Sequence, residues 1–260
     1  MIDPLMFIAL LPAVVLVVYI CRKDRTDKEP PALIAKLLGY GVLSCLPAIV
    51  VELILSAIIE RLNVRNVYLG YFLEAFVVAG LTEETCKFLF LRTTWRNPAF
   101  DYQFDAIVYA VMVALGFAAF ENVKYVYSYG FATGIVRAVT AVPGHAIFGV
   151  FMGYFYGYAK LSDYWGRDDD RKAYLALSVV VPVLMHGCYD YLAFTQESDS
   201  RFTLLFYAYL VALYVFGIRR VNRSSRDDRR VTRETVFDYF RRMQYPLPPQ
   251  YRDRDDDFWR

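Results

Sequence analysis

Apolar residues run along this chain in seven long blocks, and short polar clusters separate the blocks. A helix needs about 17–25 mainly apolar residues to cross the hydrocarbon core of a bilayer, and each block is long enough. The pattern therefore predicts an all-α, polytopic membrane bundle with seven spans, at Leu5–Cys21, Leu37–Ile59, Val67–Leu91, Phe104–Tyr127, Phe131–Ala159, Ala173–Phe194 and Phe202–Ile218.

The connectors between the blocks alternate in charge. Lys and Arg are frequent after the first, third, fifth and seventh blocks and sparse in the others, apart from Arg61 and Arg65. Because Lys and Arg concentrate in cytoplasmic loops, we expect the N-terminus outside and the C-terminus in the cytoplasm. The chain is expected to be a multi-pass protein of the cell membrane.

The composition fits this organisation. The hydrophobic share is 57 %, the charged share is 22 % and the formal net charge is +2. Apolar and charged residues are segregated, which excludes an ordinary soluble enzyme, a nucleic-acid-binding domain and a disordered chain. The four cysteines form no CxxC pair, so neither a disulfide framework nor a zinc ribbon is expected. We expect a transmembrane domain at residues 1–221 and a charged cytoplasmic tail at 222–260, with a short helix at Thr232–Met243.

The third block contains three ionisable residues, although charges inside a bilayer are costly. Glu83 and Lys87 are four residues apart and are predicted to pair on one helix face. Glu84 is rotated by about 100 degrees and is left without that partner. One paired and one unpaired carboxylate suit general-base chemistry. An ion pair that only fixes helix packing is the alternative.

The fourth block contains Glu121 and Asn122, and Lys124 is placed to pair with Glu121. Other charged residues near span ends are expected to extend toward water and to have structural roles. They are Lys36, Glu52, Glu74 and Arg137.

The chain has only two histidines, and both lie within apolar blocks. After His145, glycine recurs at every fourth position as far as Gly157, which lets a neighbouring helix approach closely. Asp190 follows His186 by one helical turn and can orient its imidazole. Both histidines are therefore interpreted as functional rather than as packing residues.

These motifs, in this order on successive spans, resemble the PrsW family of intramembrane proteases, within the CAAX-protease and bacteriocin-processing superfamily. The string from Glu83 to Lys87 resembles its EExxK motif, and Asp105 with Tyr109 resembles its DxxxY motif. The resemblance extends over Leu81–Phe194. Its remaining motifs are the GFAxxEN string that ends in Glu121 and Asn122, His145 with its glycines, and His186 with Asp190.

The resemblance implies that residues 1–221 form a transmembrane protease domain, with its core motifs at 81–194. Its substrate would be a single-pass membrane protein such as an anti-sigma factor, and its other partner the lipid bilayer. The implied catalytic residues are Glu83, Glu84, His145, His186, Glu121 and Asn122, and the supporting ones are Lys87, Asp190 and Asp105.

Two mechanisms and two further function classes stay open. A water activated by Glu83 or Glu84 without a cofactor is favoured, because the chain has no HExxH helix. The alternative is a zinc ion held by Glu84, His145 and His186. The same buried groups also suit a proton- or metal-coupled transporter. A membrane-embedded protein that binds lipid or peptide is the third class. The absence of internal repeats and the crowding of the motifs onto four consecutive spans disfavour transport.

Overall fold

A computed structural model describes residues 3–231, and the described chain is almost entirely helical. The helix predicted at Thr232–Met243 lies outside the described residues. Residues 3–231 contain nine α-helices, which are α1 Pro4–Lys23, α2 Pro31–Arg61, α3 Val67–Phe72, α4 Thr82–Leu91, α5 Gln103–Tyr129, α6 Phe131–Val139, α7 Ala141–Tyr164, α8 Asp168–Ser198 and α9 Arg201–Arg226.

Six helical stretches in the described part of the chain are long and apolar enough to cross a membrane. They are α1, α2, α5, the stretch from α6 through α7, α8 and α9. The bundle is thus an all-α, multi-pass membrane architecture, as predicted, with six candidate spans in place of seven. The predicted span Phe131–Ala159 is two helices, because the backbone breaks at Thr140.

The remaining predicted span, Val67–Leu91, is helical throughout but not uniform. A π-helical segment at Leu73–Leu81 lies between α3 and α4 and ends two residues before Glu83. Because this stretch is divided into three short elements, it is not one of the six candidate membrane spans. π-Helical segments are rare and occur frequently at functional sites.

Helix α5 is the centre of the bundle. Every residue from Phe104 to Ala118 is buried, and α5 packs against α7, α2 and α1. A helix that is apolar on all sides is expected to be enclosed in this way. The crossing with α7 is close, because a Cβ atom on Gly153 would lie 2.4 Å from the carbonyl oxygen of Ala106. The close approach predicted from the glycines of α7 is therefore confirmed.

The end of α9 is tied to the start of α5. Helix α9 continues past residue 221 to Arg226, and the residues after it lie alongside the segment before α5. The backbone N–H of Gln103 donates to the carbonyl of Arg229 at 2.7 Å, and that of Val231 donates to Asp101 at 2.7 Å. The first ten residues of the predicted tail, 222–231, are thus packed onto the bundle.

Candidate functional site

The charged residues of α4 form a compact ion cluster. The Lys87 Nζ lies 3.1 Å from Glu83 Oε2 and 2.7 Å from Glu84 Oε1, and all three side chains are buried. The predicted pair of Glu83 with Lys87 is confirmed. The expectation that Glu84 lacks this partner is wrong, because a lysine reaches carboxylates at both i−3 and i−4 on a helix.

Two histidines from α7 and α8 meet at this cluster, with their ring centres 5.1 Å apart. The Nδ1 atom of His145 lies 3.2 Å from Lys87 Nζ, and the Nδ1 atom of His186 lies 3.0 Å from Glu84 Oε1. On the other side of each ring is a carboxylate. The Nε2 atoms lie 2.9 Å from Glu121 Oε2 and 3.2 Å from Asp190 Oδ2, respectively.

The donor set fits a divalent metal ion. One ligand atom from each of Glu83, Glu84, His145 and His186 lies within 4.8 Å of the others. Carboxylate oxygen and imidazole nitrogen are ligands of Zn²⁺, and an imidazole that binds metal usually donates its other N–H to a carboxylate. The Glu84 Oε2 atom is buried and has no hydrogen-bond partner among the described residues.

A cavity of about 320 Å³ reaches the cluster. Glu83, His145, His186 and Asp190 line it, whereas Glu84 is fully enclosed at 0 % exposure and is not one of its lining residues. The two adjacent carboxylates therefore differ: Glu83 faces a space large enough for water molecules, and Glu84 faces the ion cluster.

Glu121 reaches the site, but its partners differ from the predicted one. It contacts His145 and Arg137, whose Nη2 lies 2.8 Å from Glu121 Oε2, while Lys124 is exposed. Pairing with Lys124 is thus a wrong prediction, because the cation that pairs with Glu121 is Arg137 of α6 rather than a residue of the same helix. Asn122 donates to the carbonyl of Ala9 at 2.8 Å, which ties α5 to α1.

The pairing of Arg137 with Glu121 was not predicted from the sequence. We expected Arg137 to extend toward water, yet its side chain is only 14 % exposed and faces Glu121. The available signal was an arginine on a short amphipathic helix, two turns before His145 in the sequence.

The structure does not bring Asp105 to the cluster. Its Oδ2 accepts hydrogen bonds from the backbone N–H groups of Asp101 at 3.1 Å and Tyr102 at 2.7 Å, and so caps the start of α5. Asp105 precedes Glu121 by 16 residues, which is about 24 Å along a helix. In the structure Asp105 therefore stabilises the first turn of α5 away from the cluster, and its expected supporting role stays a prediction.

A family model described as "PrsW family intramembrane metalloprotease" matches residues 29–218. The chain belongs to this family. It is 34 % identical over 214 residues to Protease PrsW of Bacillus subtilis (strain 168), covering 82 % of this chain and 92 % of that protein. It is 35 % identical to Protease PrsW of Oceanobacillus iheyensis, covering 82 % and 93 %, and 28 % identical to that of Clostridioides difficile (strain 630), covering 87 % and 94 %.

No solved structure matches the chain significantly. The PrsW-family match includes α2 and every motif from Glu83 to Asp190. Together with the six apolar helices, it identifies a multi-pass membrane protein of the peptidase class.

Proposed function

We propose that this PrsW-family chain hydrolyses a peptide bond of a membrane-anchored protein at the buried cluster of Glu83, Glu84, His145 and His186. The observation that carries the proposal is the pair of imidazoles that meet two carboxylates at the wall of a cavity. The Nε2 atom of each imidazole contacts a further carboxylate, which is Glu121 for His145 and Asp190 for His186. Preorganised groups of this kind stabilise charge that develops during hydrolysis.

Glu83 is the general base in this proposal, and Glu84 is a fixed member of the cluster. A base must be within hydrogen-bond reach of the water that it activates, and Glu83 is the carboxylate of the two that lines the cavity. It takes the proton from the attacking water and returns it to the leaving amine. Lys87 holds both carboxylates in place through its ammonium group.

We further propose that Glu84, His145 and His186 hold a divalent metal ion. When bound, the ion supplies Lewis-acid chemistry that lowers the pKa of a coordinated water to about 7. The absence of an HExxH helix does not argue against it here, because the ligands come from three helices. The cofactor-free mechanism has one supporting contact, since the Lys87 ammonium lies against the Nδ1 atom of His145.

The proposed topology has seven spans, with the N-terminus outside. The spans are the six candidate stretches together with Val67–Leu91, the third apolar block of the sequence. The support for this topology is the alternating charge of the connectors. Reporter fusions after Tyr129 and after Arg226 are expected to report opposite sides of the cell membrane, and the same side for both would contradict this topology. The proposed substrate is a single-pass membrane protein such as an anti-sigma factor.

The test is cleavage of a single-pass reporter by purified protein. We expect Glu83→Gln, Glu84→Gln and His186→Ala each to abolish cleavage while membrane insertion is retained. The control is Glu60→Gln, the same substitution at an exposed position, which should cleave normally. Full cleavage activity in both glutamate variants would contradict carboxylate catalysis, and no cleavage by the wild type would favour the transporter class.

A chelator separates the two mechanisms. With a metal ion in the cluster, we expect chelation to stop cleavage and zinc to restore it, and His145→Ala to lower the metal content of the purified protein. Unchanged cleavage after chelation, with no stoichiometric metal by elemental analysis, would contradict the metal site and leave the cofactor-free mechanism.

A further inference from the structure

Arg137 is held in place by three neighbours from α5. Its Nη2 lies 2.8 Å from Glu121 Oε2, and its Nε donates to Asn122 Oδ1 at 3.1 Å. The guanidinium carbon lies 3.9 Å from the ring centre of Tyr125, within cation–π range. A guanidinium group can donate in two directions and stack its flat face on a ring at the same time, whereas the ammonium group of a lysine cannot make this combination of contacts.

The oxygen that binds Arg137 also contacts His145. Glu121 Oε2 lies 2.8 Å from Arg137 Nη2 and 2.9 Å from His145 Nε2. On the opposite side of the ring, the Lys87 ammonium lies 3.2 Å from Nδ1. An ammonium group is only a donor, so Nδ1 must accept with its lone pair and Nε2 must carry the ring proton. Glu121 accepts a hydrogen bond from that Nε2–H group, so the charge and position of Glu121 decide the tautomer of His145.

The side chain of Glu121 is 18 % exposed and needs a cation to remain a well-placed carboxylate. Arg137 supplies it from α6, a helix of nine residues that follows the left-handed turn at Gly130, with φ of 86°. Exposed apolar side chains cover one side of α6, and Gly134 is buried against Ile8 of α1. Helix α6 packs against α1, α5 and α7, and it presents Arg137 to Glu121. Its exposed apolar residues are Phe131, Ile135, Val136 and Val139.

We propose that Arg137 is a positioning residue that acts through Glu121 to hold His145 in the tautomer with a free Nδ1 lone pair. This inference deepens the proposed function, because both the Lys87 contact and a metal ion require that lone pair. Arg137 does not contact the cluster itself. Its effect on catalysis passes through one shared carboxylate oxygen.

The test uses the fact that the chain contains only two histidines. In protein with ¹⁵N-labelled histidine in lipid nanodiscs, prepared without metal, the imidazole nitrogen shifts report the tautomer of each ring. We expect His145 to show the Nε2–H tautomer in the wild type and a mixture of tautomers in Arg137→Gln. His186, which Asp190 orients, should keep its signals and serves as the internal control.

Two further variants sharpen the result. Lys124→Gln removes a cation that lines the same cavity but does not pair with Glu121, and should leave the His145 signals unchanged. Arg137→Lys keeps the charge without the forked geometry, and should give an intermediate spectrum even where Arg137→Gln fails to fold. Wild-type His145 signals in either Arg137 variant would overturn the proposal.

Cleavage by the same variants gives a second readout. Loss of a residue that orients a metal-binding or catalytic imidazole typically costs about 10–100-fold in activity. We expect kcat to fall in this range for Arg137→Gln with KM nearly unchanged, and to recover in part in Arg137→Lys. If the wild type cleaves no reporter but Arg137→Gln still changes the His145 tautomer, the proposed function is contradicted and the role of Arg137 is not. If the wild type cleaves and Arg137→Gln shows the wild-type His145 tautomer, only the role of Arg137 is contradicted.

Discussion

The crossing of α5 and α7 allows one substitution to test both packing and site geometry. In Gly153→Ala, the new Cβ would lie 2.4 Å from the carbonyl oxygen of Ala106 and 2.5 Å from the Cα of Ile107. Ordinary contact begins at 3.4 Å, so the two helix backbones must separate by about 1 Å. Helix α5 carries Glu121 and α7 carries His145, so the separation also disturbs their contact.

The expected cost follows from two opposing contributions. Overpacking of this kind costs about 1–3 kcal/mol, and alanine regains about 0.5–1 kcal/mol of helix propensity over glycine. At the centres of these ranges the net cost is about 1.2 kcal/mol, so at about 2–4 °C per kcal/mol the thermal midpoint of Gly153→Ala should fall by about 2–5 °C. Activity should fall further, up to about 100-fold, because a 1 Å misplacement of a catalytic group can cost that much.

The matched control is Gly39→Ala in α2, where no atom lies within 4 Å of the added Cβ. This variant should be slightly more stable than the wild type and fully active. The assay is thermal unfolding in detergent together with reporter cleavage. A Gly153→Ala protein with wild-type stability and activity, or equal effects in both variants, would refute the packing argument.

Three further predictions concern charged groups. Lys87→Met leaves buried carboxylates without their cation and should lower the free energy of unfolding by about 3–5 kcal/mol, whereas Glu83→Gln should lower it less; equal losses in denaturation would contradict this. Burial raises the pKa of Glu29, in the loop before α2, to about 7. The folded protein therefore keeps a proton on this carboxyl that the unfolded chain releases, and its free energy of unfolding falls as pH rises from about 4.5 through 7. Glu29→Gln should therefore unfold a few degrees above the wild type at pH 8 and together with it near pH 4.5, and a constant difference across that range would refute the assignment. Asp190→Asn should reduce cleavage about 10–100-fold without loss of folding, because it weakens the orientation of His186, and a normal rate would exclude that role.

Much of the bundle follows from hydrophobic patterning, because a membrane span requires a long apolar run. Patterning also found the helices that carry the site, since ionisable residues in such runs are conspicuous. It did not show the division of Val67–Leu91, because the nine residues of the π-helical segment are almost all apolar and show no period that distinguishes it from an α-helix. It did not show the break at Thr140, where apolar residues continue on both sides.

The contacts within the site were less predictable than its residues. The pairing of Glu83 with Lys87 is local to one helix and could be read from spacing. The bond from Arg137 to Glu121 depends on a chain reversal at Gly130, which spacing along one helix does not represent. Asp105 belongs to the DxxxY string within an apolar block. It lies in the first turn of α5, where a carboxylate accepts hydrogen bonds from backbone N–H groups that have no partner in the helix.

The most direct test of the central claim is cleavage of a single-pass substrate in water enriched in oxygen-18. The account predicts that the wild type releases a fragment whose new C-terminal carboxylate contains one heavy oxygen, and that Glu83→Gln releases no fragment. Cleavage by Glu83→Gln at the wild-type rate, or a wild-type product without the heavy oxygen, would contradict hydrolysis by a water that Glu83 activates.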